Sequence, residues 1–199
     1  MQAAVTATVT GSALGVGSEL RNFQLRLGMW VFLGTVTMLF AAFSSAFMVR
    51  SAGTDWHAMP LPRILWWNTA LIMLSSVVLD YGRRCANQSR WGSAAAAVGG
   101  AGLLGLLFLM GQLDAWRQLA QAGISVPTGP FAASFYMMTG LHALHLMAAL
   151  ALLGWGAWRL WRGALDDEVA VRGVASLCAT FWHFLGGLWL YLFAMMLLL

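Results

Sequence analysis

Three histidines are the residues best placed to do chemistry. His142 and His145 are three apart on one apolar stretch, and His183 lies on the next. At helical spacing, residues three apart share a face. His142 is eleven residues from Phe131, about 16 Å at 1.5 Å per residue. His183 is ten residues from Gly173, about 15 Å in from the opposite side. Both fall near the middle of a hydrocarbon layer roughly 30 Å thick. An imidazole at that depth has three uses: a structural bond between helices, haem ligation with one histidine from each helix, or a step in a proton relay. Gly140, Gly186 and Gly187 leave room for a porphyrin. Asn68 is a further polar group expected inside the membrane.

Carboxylates narrow these uses. Asp80 lies near the inner end of the second apolar stretch and Asp114 near the outer end of the third, where capping or pairing with Arg83, Arg84 or Arg117 accounts for them. No ladder of ionisable groups crosses the bilayer, as a pump or ion-coupled transporter would need. The glycine-rich run Gly99 to Gly105 has no Walker lysine, and the chain contains no lysine at all. Cys85 and Cys178 form neither a disulfide framework nor a metal-binding pair.

The elements that carry these residues follow from composition. Apolar residues make up 60% of the 199 positions and charged residues 9%, against about 25% charged in a soluble domain. Such a chain has lipid as its solvent. Five stretches are long enough to span: 27–49, 61–82, 92–113, 131–158 and 173–199. The fold expected is all-α, a polytopic bundle of about five transmembrane helices forming one domain over 25–199. Residues 1–24 are expected to be a mobile cytoplasmic tail. Met1 to Ser18 lacks the basic and apolar regions of a signal peptide. Short polar connections are expected at 50–60, 83–90, 115–130 and 159–172, and Gly123, Pro127, Gly129 and Pro130 make the third a turn-rich loop.

Arginine sets the orientation. Arg21, Arg26, Arg83, Arg84, Arg90, Arg159, Arg162 and Arg172 fall on one side, and Arg50, Arg63 and Arg117 on the other. The richer side is expected to be cytoplasmic, placing the N-terminus inside and the C-terminus in the periplasm. Net charge is only +4, too little and too dispersed for a nucleic-acid partner. Arg159 and Arg162, with Trp30 and Trp158 at the same interface, are lipid-binding candidates, since a guanidinium can hold a phosphate while indoles flank acyl chains; ordinary topology explains the arginines equally well. In the third stretch, Gly92, Ala96, Gly100 and Leu104 form a row suited to close helix packing, within the bundle or against a partner subunit.

Four segments resemble subunit III of the haem-copper respiratory oxidases. They are Leu25-Arg26-Leu27-Gly28-Met29-Trp30-Val31-Phe32, then Trp67-Asn68-Thr69 with Ser75-Ser76. Phe135-Tyr136 through Thr139-Gly140-Leu141-His142-Ala143-Leu144-His145 follows, and Phe181-Trp182-His183-Phe184 with Leu188-Trp189-Leu190-Tyr191-Leu192-Phe193 closes the set. They stand in the family's order from Leu25 to the C-terminus, and the length fits its five-helix bacterial form. The resemblance implies a multi-pass protein of the bacterial inner membrane. It implies a non-catalytic subunit of a proton-pumping cytochrome c or quinol oxidase, with no cofactor and no metal of its own. Haem and copper would belong to the partner, subunit I. This chain would pack against it and other oxidase subunits, bind phospholipid and support proton uptake during oxygen reduction. His142, His145, His183 and Asn68 would then be structural, with no catalytic residue. Two departures stand out. Val36 occupies the place of a frequent family glutamate, and Leu185-Gly186-Gly187 follows His183 where an aspartate is common. A scaffold or assembly subunit of another respiratory complex, or a di-haem membrane cytochrome, are the alternatives.

Overall fold

A computed structural model describes the backbone of residues 2–57, 59–162 and 168–198, and the side chains of residues 20, 23–57, 59–162 and 172–198. Five helices account for nearly all of it: α1 (Gln2–Ser51), α2 (Ile64–Asn87), α3 (Trp91–Gln121), α4 (Pro130–Trp161) and α5 (Glu168–Leu198). Each carries a stretch long and apolar enough to cross a membrane. A helix is the natural form there because it satisfies every backbone donor and acceptor within the segment. The connection from α2 to α3 is tight, with Ser89 in the left-handed region at φ 55. Before α4, a short 3-10 turn over Val126–Thr128 leads through Gly129 into Pro130 at the first helical position, where a missing N–H costs nothing.

The helices overrun several expected ends. The segment expected as a tail is helical from Gln2 onward, continuous with the apolar part of α1 that begins at Phe23. No proline interrupts residues 2–51, and small residues such as alanine propagate a helix once a long apolar segment has nucleated it. α2 continues through Arg83 and Arg84 to Asn87, and α3 through Trp116 and Arg117 to Gln121, so the loops expected at 83–90 and 115–130 are each shorter. The expected acidic loop through Asp166 and Asp167 lies outside the described residues.

α2, α3, α4 and α5 form the body, while α1 rests against α5 and α4. α1 buries one narrow stripe of Leu33, Val36, Phe40, Ser44 and Phe47, at the three- and four-residue spacing of a helix face. Much of its remaining described surface, including Trp30, Val31 and Met38, is exposed.

Close packing centres on α3, but along a different row from the one expected. Gly92 and Ala96 are exposed and Gly100 is half-buried, and Ala97, Ala101 and Gly105 are the buried small residues at four-residue spacing. Gly105 admits the fully buried Trp182 of α5: a Cβ added there would meet the indole ring. From α2, the Ser75 hydroxyl donates to the Ala101 carbonyl at 3.0 Å. The packed row therefore serves the bundle's own interior.

Candidate functional site: an intramembrane polar layer and the α1–α5 groove

Four helices meet at one level. Asn68 of α2 is buried against α3, where its Oδ1 occupies the position a Cβ on Gly111 would take. Its neighbour Thr69 accepts a hydrogen bond from the indole N–H of Trp189 on α5 at 3.0 Å. The Trp189 ring lies 5.4 Å from His142 on α4, and His142 in turn lies 6.0 Å from Phe108 on α3. One turn nearer the α3–α4 loop, the Trp116 indole donates to the Thr139 hydroxyl at 3.1 Å, and Thr139 donates onward to Phe135 O at 2.7 Å. Gln112, midway between Phe108 and Trp116 on the same α3 face, is buried; Phe108 packs on His142 and Trp116 bonds Thr139, so this face of α3 is turned to α4. Tyr136 fastens the adjoining loop by donating to Ile124 O at 2.9 Å.

The three histidines have separate surroundings. His142 is fully interior, flanked by Phe108 and Trp189, and neither of its ring nitrogens has a hydrogen-bond partner among the described residues. His145 turns towards α1, with its ring against Phe32 and Phe40. Its Nδ1 lies 2.7 Å from Leu141 O on its own helix; a carbonyl only accepts, so the proton is on Nδ1. His183 reaches across to α2, with Nε2 3.2 Å from Asp80 Oδ1. Arg83 Nε lies 3.8 Å from the same oxygen. Among the described residues, the cross-helix histidine bond therefore ties α5 to α2. It also gives Asp80 a second partner besides its own-helix arginine. Asp114 accepts from Gln118 at 2.8 Å.

Between α1 and α5 runs a groove with two compartments. The larger, about 470 Å³, is lined by Thr37, Phe40 and Ala41 on one side and His183, Gly187 and Tyr191 on the other. The smaller, about 160 Å³, lies towards the arginine-rich end and is lined by Arg26, Met29 and Trp30 with Ser176, Leu177 and Thr180. Trp30, expected as a lipid contact, sits here beside Arg26. Arg162 and Trp158 are elsewhere, paired with each other: the guanidinium lies over the indole at 4.7 Å. Arg159 is half-buried on α4. Sequence reasoning missed Arg26 and Gln112 as site residues. Gln112 sits at the apolar run's end, where a polar residue is ordinary, and only the helix's continuation places it inside. Among the described residues, no cluster of three or more histidine, cysteine or acidic side chains is arranged to hold a metal ion.

Comparison with known proteins gives the same reading over nearly the whole chain. The family described as Cytochrome c oxidase subunit III matches residues 7–198. The chain is 28% identical to the cytochrome bo(3) ubiquinol oxidase subunit 3 of Pseudomonas aeruginosa, over 86% of this chain and 83% of that one. It is also 28% identical to a probable cytochrome c oxidase subunit 3 of Mycobacterium tuberculosis, over 97% of each. It is 28% identical to the cytochrome c oxidase subunit 3 of Thermostichus vulcanus, over 100% of this chain and 98% of that one. With five spanning helices in place and the match running from end to end, the chain belongs to the cytochrome c oxidase subunit III family.

Proposed function

We propose that this chain is the non-catalytic subunit III of an aerobic terminal oxidase in the bacterial inner membrane. It stabilises the haem-copper catalytic subunit, holds phospholipid and supports proton uptake during oxygen reduction. The observation that carries this reading is the match over residues 7–198 to a family of oxidase subunits. The disposition of the histidines supports it. His142, His145 and His183 are engaged separately, by rings, by the histidine's own helix or by Asp80, so none is paired with another across a shared gap. Haem and copper would reside in the partner. Relatives from both ubiquinol and cytochrome c oxidases match at equal identity, in keeping with a role that does not depend on the electron donor.

Five spans put the two ends of the chain on opposite sides of the membrane. With eight arginines against three, the N-terminal side is the cytoplasmic one. The smaller compartment of the α1–α5 groove then faces the inner leaflet. Arg26 with the hydroxyls of Ser176 and Thr180 suits a lipid phosphate, and the apolar compartment beyond suits an acyl chain.

The test is co-purification. A tagged chain from aerobically grown cells is expected to bring down a haem-copper catalytic subunit with oxidase activity. Repeated recovery of the intact chain without one would overturn the assignment.

A further inference from the structure

The polar layer between α2, α3 and α4 contains five buried side-chain atoms without a hydrogen-bond partner among the described residues: Asn68 Nδ2, Gln112 Nε2 and Oε1, and both ring nitrogens of His142. All three side chains belong to residues 1% exposed. They are brought to one level by a circuit of contacts: Asn68 on Gly111, Thr69 to Trp189, Trp189 to His142 and His142 to Phe108. Gln112 follows Gly111 in the chain and lies one turn from Phe108. A buried amide or imidazole left unpaired loses its bonds to water with nothing in return, so folded proteins seldom leave such groups without a partner. Three such groups from three helices at one level are not a packing accident of a single rotamer. Their depth also excludes a partner subunit from reaching them.

We propose that this layer is a built site for internal water, in which bound water bridges the Gln112 amide to a ring nitrogen of His142 and ties Asn68 into the same network. The chemistry fits the ligand. The amide of Gln112 offers both donors and an acceptor, the imidazole one of each, and Asn68 a donor. Buried water typically makes about three bonds, to polar groups that otherwise lack them. The site joins α3 to α4 and α2 through polar bonds, beside the direct Trp116–Thr139 and Trp189–Thr69 bonds. It needs nothing from the oxidase assignment.

The experiment is a density map of the full chain in its native complex, at a resolution that shows ordered water. The expected result is water density within about 3.2 Å of both the Gln112 amide and a His142 nitrogen. A direct Gln112–His142 bond without intervening density, or an amide and imidazole with no density beside them, would overturn the proposal. A second measurement uses the apparent melting temperature of the subunit in Gln112→Met, His142→Phe and the double variant. Each single change strands polar atoms on the other side of the water, so the double variant is expected to lose less than the sum of the two. Strictly additive losses would overturn the coupling. If His142→Phe fails to fold, the wild-type map alone decides.

Discussion

His183 of α5 donates to Asp80 of α2 across 3.2 Å, with both side chains part-exposed and the histidine facing the groove between α1 and α5. The pair joins two helices through ionisable groups. The carboxylate that meets His183 comes from α2, since Leu185, Gly186 and Gly187 follow the histidine within α5. Interhelical polar bonds in membranes average only about 0.6 kcal/mol, so neither partner is expected to be essential for folding.

His183→Phe or Asp80→Asn is therefore expected to loosen the α2–α5 contact without blocking oxygen reduction. In the intact oxidase, the initial rate should stay near that of the wild type, while activity decays faster over successive turnovers and less of the subunit survives detergent washing. Oxygen consumption followed from the first turnovers checks this. An immediate loss of nearly all activity, with the subunit retained and the metal centres intact, would mean that the pair takes part in the chemistry.

Gly105 supplies a sharper test of packing. Its missing Cβ is the space filled by Trp182, and that indole cannot withdraw because it is fully buried. Gly105→Val should destabilise the bundle by about 1–3 kcal/mol, the usual cost of overpacking. Gly99 lies on the same helix, and a methyl group there would meet nothing within 4 Å. Gly99→Ala should therefore be neutral or gain up to about 1 kcal/mol of helix propensity. Thermal aggregation of the solubilised protein, compared for the two variants, distinguishes them.

The contrast between those glycines marks how far sequence reasoning reaches. The number of spans is legible because hydrocarbon thickness sets a minimum apolar run, and His142, His145 and His183 declare themselves because polar groups there are costly. Helix ends are less legible: α3 runs on to Gln121 because nothing before Gly123 breaks it, and that extension is what makes Trp116 a partner for Thr139. Cross-helix register is not legible at all from one chain. Ala97–Ala101–Gly105 and Gly92–Ala96–Gly100 are equally good small-residue rows in the sequence, and only the rotation of α3 against α2 and α5 selects the first. The same rotation decides that Asn68 meets Gly111, and the packing of α5 on α2 decides that His183 meets Asp80.

Lipid retention separates the two arginine sites. Arg26 shares a cavity with Trp30 and two hydroxyls, whereas Arg162 already rests on the Trp158 ring, a contact worth about 0.5–1 kcal/mol where exposed. Native mass spectrometry of the complex should show Arg26→Gln losing a retained anionic lipid. The double change Arg159→Gln and Arg162→Gln should lose less, its main effect being on topology. Equal retention in all variants would remove the phosphate role from the groove.

Haem content tests the histidine geometry directly. A low-spin di-haem protein needs two imidazoles whose free nitrogens face each other across a planar slot. Here His142 is held between Phe108 and Trp189, and the Nδ1 proton of His145 is committed to Leu141 O. His183 points its Nε2 at Asp80 on α2. Opening a slot for a porphyrin between α4 and α5 would require displacing Trp189, which also holds Thr69. Burial of an indole of this size stabilises by several kcal/mol, on the order of the 3–5 kcal/mol lost when such a side chain is truncated in a core. The chain purified away from its partners is therefore expected to show no stoichiometric Soret band, and the haem absorbance of the complex should follow the catalytic subunit when the two are separated. A Soret band that stays with this chain and vanishes in His183→Phe would show that the helices rearrange to ligate haem, and would refute the structural role assigned to these histidines.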